Sequence, residues 1–420
     1  MFSRRNGRLF FLGQTVSQVG SSMQRVALGW IALELSHSGL VLGLVNAVPI
    51  FAMLVAGPFG GLVADRFPAR PVLVGANAVQ GLVAGVLGLL ATQHALALWQ
   101  LTVSALLMGT TEAVIVPTTQ VFVGEIAEES RLRQAINVNN AILVLSAVVG
   151  AALVGPTIDW LGTAGVISAN ALSYIVVVGA LLLIRSAELH PRQTATKARA
   201  QVRQAVAFLL SQLNLMLFLA ITAVVSLFAT SLPTLLLLMS DDSGARTYGT
   251  LLTAISVGSL AGAGVLWRAK PALGTVLVGS VVLGLLEAAI AISTNLVALV
   301  GVLFLIGVIS FVLQTGLLTM VQLQTRPDLQ GRVLAIFLSV FRIGWLLGTL
   351  MSGWLAHVDG PRALIGVEGG ITAVVVLAVC AVSAMTRVLS ISRTTRGYDF
   401  ALRQSADERQ PRVPAHTAPE

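Results

Sequence analysis

Twelve apolar runs follow one another along the chain, at roughly 9–34, 40–64, 71–91, 96–122, 135–159, 165–184, 213–238, 247–267, 274–293, 296–322, 333–356 and 363–386. A helix that crosses a bilayer needs about 20 mostly apolar residues. Backbone polar groups cannot face hydrocarbon unbonded, so such runs fold as helices. A transmembrane barrel would show short alternating segments instead. The charge content agrees: 10% of the 420 residues are charged and 56% are hydrophobic. A water-soluble surface draws on roughly 25% charged residues, so lipid must be the solvent. The sequence predicts an all-α integral membrane protein with twelve transmembrane helices.

The net charge of +8 raises a nucleic-acid reading. The position of the charges excludes it, because almost all lie in short loops and the two tails. Lysine and arginine concentrate in cytoplasmic loops. With both termini in the cytoplasm, all but four of the 26 basic residues fall inside. Arg246 and Arg362 fall outside, and Arg25 and Arg342 lie within helices. The basic start, Met1 to Arg8, leads into a long run holding Gln14, Gln18 and Arg25, with no clear cleavage site. It is expected to stay as a helix. The single Cys380 offers neither a disulfide framework nor a cysteine metal site.

Residues 185–212 are polar and basic, and 199–210 suit a short amphipathic helix on the inner membrane surface. This linker divides the chain into six-helix halves, 1–184 and 213–386, followed by a polar tail, 387–420, expected to be disordered. Gly150, Gly155 and Gly162 recur 198 positions later as Gly348, Gly353 and Gly360, the mark of a weak internal repeat.

Between the second and third runs lies Gly60-Gly61-Leu62-Val63-Ala64-Asp65-Arg66-Phe67-Pro68-Ala69-Arg70. It resembles the loop between helices 2 and 3 of the major facilitator superfamily, with Gly61, Asp65, Arg66 and Arg70 matching and Pro68 and Ala69 departing. Leu12 to Ser17, Met23 to Ala27, Trp30, Leu33 to Leu35, Pro117 to Val123, Ala135 to Asn137, Gly155-Pro156 and Pro327 to Val333 narrow the likeness. Together they resemble the enterobactin-exporter-type, or transmembrane secretion effector, branch, over roughly residues 8 to 386. Two positions depart from proton-coupled drug exporters of that superfamily. Ala105 stands where many carry an arginine, and the antiporter pattern of helix 5 survives as Gly150, Gly155 and Pro156 but ends in Asp159.

The resemblance implies that helices 1, 4, 7 and 10 line a central cavity. The residues point the same way. Gln14, Gln18, Ser21 and Arg25 share one face of the first helix. Thr222, Ser226, Thr230 and Thr234 repeat every four in the seventh, and Gln314, Thr315, Thr319 and Gln322 mark the tenth. Serine and threonine in membrane helices also bond simply to their own turn, which is the alternative for 222–234. Arg25 and Glu112 are the costly charges, and such groups find a partner or water. At about 1.5 Å per residue they sit roughly 24 Å and 15 Å from the inner ends of their helices. The mismatch of about 9 Å is within combined side-chain reach or leaves room for one water, for either a coupling pair or a fixed ion pair. Glu287 is expected to snorkel or to be paired locally, and Glu368 to cap a helix or face water. Gly61, Asp65, Arg66 and Arg70 with Gly331 and Arg332 form the expected conformational gate. Asp65 would sit against the start of helix 11, held by Arg66 and Arg70. Gly150, Gly155 and Pro156 are expected in helix packing.

No histidine pair has metal-ligand spacing. No phosphate loop, nucleophile elbow or ATP-binding motif is present, which excludes a self-contained ATP-driven pump; no enzyme activity, metal or cofactor is expected. The reading is a monomeric secondary transporter of the cell (inner) membrane. Its partners are the bilayer and a small amphipathic drug, siderophore or other metabolite, exported in exchange for protons. An importer or uniporter on the same fold, and a non-transporting scaffold, are the alternatives.

Overall fold

The computed structural model describes residues 5–127, 131–190, 201–268, 273–293, 295–326, 329–385, 389–394 and 397–402. Nearly all are helical. The helices are α1 (Arg5–Ser36), α2 (Gly39–Arg66), α3 (Ala69–Thr92), α4 (Leu98–Ile126), α5 (Leu132–Leu183), α6 (Gln201–Ser211) and α7 (Leu213–Phe228). They continue as α8 (Leu232–Met239), α9 (Ala245–Arg268), α10 (Leu273–Ile292), α11 (Leu296–Gln324), α12 (Gln330–Asp359) and α13 (Pro361–Met385). Among the described residues ten helical segments are long and apolar enough to cross a membrane. The 32-residue α1 is outside that set, because its glutamines and Arg25 dilute its apolar character.

Two of the expected runs are joined and one is broken, each for a local reason. The fifth and sixth fall in the 52-residue α5, which breaks at Gly162 with φ 69° and ψ 174°. That region is essentially closed to residues with a Cβ. The seventh run splits into α7 and α8 at residues 229–231. Pro233, in the first turn of α8, lacks an amide hydrogen and its ring would strike the carbonyl of Ala229 in a continuous helix. The short α6 lies where an amphipathic helix is expected, with Ala205 and Leu209 buried and Val206 and Leu210 exposed.

The tail holds two short strands. Leu389–Thr394 (β1) and Gly397–Leu402 (β2) form an antiparallel hairpin. Its register sets Leu389 opposite Leu402 and Ile391 opposite Phe400. These apolar residues alternate with polar ones, a period-2 pattern that overall polarity conceals. Residues 403–420 lie outside the described residues.

The helices gather in two sets. In the first, α1 packs on α5, α2 on α4, and α3 on both α4 and α5; in the second, α9 packs on α11, α10 on α11 and α13, and α12 on α7. The sets meet mainly through α2 with α12 and α5 with α9. The glycine repeat explains this arrangement. A Cβ on Gly150 would press on Ser22 of α1, and one on Gly348 on Leu227 of α7. Gly155 touches Arg246 of α9, and Gly353 touches Gly39 of α2, so both sit between the sets. Gly162 and Gly360 both hold positive φ in the turn that follows. Two further pairs share the 198-residue offset. Gly60 and Gly109 bring α2 and α4 together, as Gly258 and Gly307 do for α9 and α11.

The outward surface is apolar along whole helices. Leu82, Val86 and Leu89 of α3, Leu172, Ile175 and Val176 of α5, and Val374 and Leu377 of α13 are all exposed. Patches of this extent are stable against lipid rather than water. One end of the first set is closed by aromatic packing: Phe10 meets Phe11 and Phe122 edge to face, with centroids 5.2 and 5.3 Å apart. Asn6 there donates to the Arg185 carbonyl and accepts from its amide, both at 3.1 Å.

Candidate functional site

Polar side chains inside an apolar bundle must find one another, and in the first set of helices they form one connected network. Gly13, Ser17, Gly20 and Gln24 make the face of α1 that meets the second arm of α5, with Gly20 against Asn170 and Ser173. Asn170 donates to Gln24 Oε1 at 2.5 Å, and Gln24 Nε2 points to Met108 Sδ of α4 at 3.4 Å. Ser173 donates to Asn170 Oδ1 at 2.8 Å. Ser21 lies 2.9 Å from the Tyr174 hydroxyl, which donates to Gln80 Oε1 of α3. Gln80 Nε2 then donates to Thr111 Oγ1 at 2.9 Å and to Glu112 Oε2 at 3.4 Å. Four helices are thereby linked, and the half-buried Glu112 carboxylate stands at the end of the chain.

Arg25 and Glu112 make no direct ion pair in this structure. Arg25 is exposed and donates from Nη2 to Ser22 Oγ at 3.0 Å. Both charges still act on the Tyr174 hydroxyl, so they share one electrostatic neighbourhood. The space between them is filled from α3 and α5. Axial position along two helices misses this, because a third helix can insert its side chains. Gln80 and the 170, 173, 174 spacing were nevertheless readable as polar residues on apolar helices.

The other candidate substrate residues are dispersed. Gln14 is buried on α1 and Gln18 half-buried. Thr222 is buried and bonds to the Phe218 carbonyl at 2.8 Å; Ser226 bonds to that of Ala223 at 3.1 Å. Ser226 also lies under Gly344 of α12 rather than open to a cavity. Thr234 accepts from Asn46 of α2 at 3.3 Å, across the two sets. Gln314 is exposed and Gln322 half-buried on α11, and the Gln322 carbonyl accepts from Gln330 at 2.6 Å.

The gate residues divide as well. Arg70 does not hold Asp65. It caps the end of α5, donating to the Leu181 and Leu182 carbonyls at 2.8 and 2.7 Å and to Ser186 Oγ at 2.5 Å. The last carbonyls of a helix carry partial negative charge and lack internal donors, so a guanidinium suits them. Asp65 and Arg66 are exposed and Arg332 half-buried. Gly61 and Gly331 face open space, whereas Gly60 makes the close contact with α4. Gly150 and Gly155 pack as expected. Pro156 lines a cleft of about 590 Å³ beside the α5–α9 contact, together with Ala152, Arg246, Gly249, Thr250 and Phe304. That cleft is separate from the polar network.

Two acidic residues read as peripheral are buried in the second set. Glu287 of α10 is 2% exposed and Glu368 of α13 is 3% exposed. Ser231, at the α7–α8 break, donates to Glu368 Oε2 at 2.8 Å, and Ser352 of α12 to Oε1 at 2.5 Å. Nearness to a helix end suggested exposure, but several helices converge there. No group of three or more histidine, cysteine or acidic side chains suits a metal ion among the described residues.

The family model for transmembrane secretion effectors matches residues 2–401. The chain belongs to the transmembrane secretion effector family. The family lies within the major facilitator transporters, and relatives and solved structures agree. An uncharacterized MFS-type transporter, YfiS of Bacillus subtilis (strain 168), is 24% identical over 377 residues, covering 86% of this chain and 89% of YfiS. The Staphyloferrin A transporter of Staphylococcus aureus (strain NCTC 8325 / PS 47) is 24% identical over 171 residues, covering 40% of this chain and 41% of its own. A bacterial homologue of the human lysosomal transporter Spinster, inward-facing and unoccupied, superposes with a TM-score of 0.69 at 12% identity, covering 91% of this chain and 96% of its own. The nucleoside transporter NupG gives 0.69 at 14% identity, covering 90% and 99%. This effector chain is therefore a multi-pass membrane transporter of the major facilitator type.

Proposed function

We propose that this transporter exports a small amphipathic molecule in exchange for protons, by alternating access between two six-crossing halves with both termini in the cytoplasm. The observation that carries the reading is the network ending at Glu112 beside the exposed Arg25. A carboxylate and an arginine deep in apolar helices mark an ion or substrate pathway by default. Gln80 and Tyr174 put Glu112 in contact with α1, α3 and α5, so a proton there is felt by three other helices.

The glycine repeat supports the two halves. Their closest approaches lie at one end, where Gly39 and Gly43 meet Gly353, and Gly155 meets Arg246 and Gly249. In the proposed orientation this is the outer end, so the structure is read as inward-facing. The partial relative named as a Staphyloferrin A transporter makes a siderophore one candidate substrate. An importer or uniporter on the same fold remains the second reading, since coupling energetics set the direction.

Counter-transport in everted vesicles separates the two. Export predicts uptake into everted vesicles driven by an acid interior, and the medium of cells lacking the protein should be depleted in one metabolite. Uptake unaffected by collapse of the proton gradient would overturn the coupling.

A further inference from the structure

Glu287 and Glu368 take no part in the network around Glu112, yet they are the most deeply enclosed acids described. Glu287 sits where α10 crosses α13. Its Cβ is 2.7 Å from where a side chain on Gly369 would begin, so that glycine makes the space it fills. Neither Glu287 carboxyl oxygen has a hydrogen-bond partner. The charge that acts on Glu287 is Glu368, and Glu368 is already held by two serine hydroxyls.

Among the described side chains no cation balances this pair. The strands β1 and β2 pack on α13 and α10 and carry Arg393, Tyr398 and Asp399, whose side chains lie outside those described. The helices packed around the pair are α7, α8, α10, α11, α12 and α13. Of these, α7, α8 and α11 contain no ionisable residue, and α10 contains only Glu287. On α12, Arg332 and Arg342 lie ten or more positions before Ser352, with His357 and Asp359 beyond it. On α13, Arg362 is exposed and six positions from Glu368, which places it on another face. Cys380 lies three turns further on. No ion pair joins either glutamate to another residue among the described side chains. Two buried anions with two serine hydroxyls as their only donors, and no counter-charge among the described side chains, are strongly unfavourable; one proton on the pair removes both the naked charge and the repulsion.

We propose that Glu287 and Glu368 form a proton site, loaded with one proton in this conformation and sealed by Ser231 and Ser352. On release the O–H bond of one carboxyl breaks, the proton passes to water and a carboxylate remains; uptake is the reverse. Water can reach the pair only when its cover moves. That cover is the α7–α8 break at Ser231 and the segment of α12 at Ser352, next to the Gly353 contact with Gly39 of α2. The site thus lies directly behind a contact between the two sets of helices. Its consequence for transport rests on the alternating-access reading above; the site itself does not.

Infrared difference spectroscopy of the full-length protein in nanodiscs, in sodium-free buffer, tests the site without a substrate. A protonated carboxyl gives a carbonyl stretch that shifts in deuterated water. The expected band disappears in Glu287→Gln or Glu368→Gln and persists in Glu112→Gln. A band unchanged in both of the first two variants shows an ionised pair and overturns the proposal. Loss of the wild-type band when sodium chloride replaces choline chloride overturns it in favour of a sodium site. If the glutamine variants do not fold, the Ser231→Ala, Ser352→Ala double variant keeps both carboxyls. A displaced pH midpoint of the band supports the site, and an unmoved midpoint overturns it. A protein that shows the band but transports nothing would count against the proposed function alone.

Discussion

The Tyr174 hydroxyl joins α1 to α3, bonding to Ser21 and donating to Gln80 Oε1. Arg25 and Glu112 stand out as charges on apolar helices, and the structure sets both near one hydroxyl. The connection between them was not legible. Spacing along a helix fixes axial height and facing, but not which neighbour fills the gap, and here Gln80 and Tyr174 fill it. Glu287 and Glu368 were misjudged for a related reason: distance from a helix end says little about burial where several helices converge. The arrangement gives a prediction for Glu112→Gln. The amide oxygen still accepts from Gln80, so the fold should persist, with a loss on the order of 1 kcal/mol or less. The side chain can no longer exchange a proton, so the dependence of transport on pH should vanish while folding, read by size exclusion and thermal unfolding, is kept. Normal transport with an unaltered pH response would remove Glu112 from coupling.

At the scale of elements, the apolar runs place nearly every helix, and the errors are local. A break needs a residue that enforces it. Pro233 enforces the one between α7 and α8, although apolarity runs through it. Gly162 enforces the reversal within α5, where φ is 69° and ψ 174°. Gly162→Ala is expected to destabilise the protein by about 1–3 kcal/mol, the cost of a strained backbone position. It should be visible as a lowered unfolding temperature in detergent. Gly179→Ala is the control: that glycine lies in regular helix with open space around it. Alanine there should be neutral or stabilising by up to about 1 kcal/mol. Equal effects at the two positions would contradict the assignment of the turn to Gly162.

At the scale of the whole molecule, orientation comes first. With Cys380→Ala as background, a cysteine at Ser243 should react with an impermeant reagent from outside, and one at Thr194 should not. The reverse pattern would invert the protein. The pairing of helices was legible only in outline. Three glycine pairs pointed to it, but their partners needed the structure, which adds the pairs at 60 and 258 and at 109 and 307. What the glycines do suggests how the molecule is held. At the α1–α2 end, Gly39 and Gly43 of α2 touch Gly353 of α12, His37 lies 3.9 Å from Asp241, and Asn46 bonds to Thr234. At the opposite end, Gly61 and Gly331 face open space. Asp65→Asn removes a carboxylate expected to bind the start of α12 when that end closes, and so should favour the present conformation.

Gly353→Val should act in the other direction. A Cβ there would stand 2.6 Å from the Gly39 carbonyl oxygen and 2.8 Å from the Gly43 Cα. Both are backbone atoms, so the contact cannot be relieved by turning a side chain aside. Overpacking a close contact typically costs about 1–3 kcal/mol. That cost falls only on the state in which α2 and α12 touch at this end. A difference of about 1.4 kcal/mol changes a two-state ratio tenfold, so the wedge is large enough to reverse the resting population. Distances between spin labels at positions within 65–70 and 326–332 should shorten in Gly353→Val and lengthen in Asp65→Asn. Gly264→Val on α9, where a side chain meets nothing within 4 Å, should leave them unchanged. If Gly353→Val lowers stability without moving the distance distribution, the α2–α12 contact is a fixed structural joint, and alternating access would have to open somewhere else.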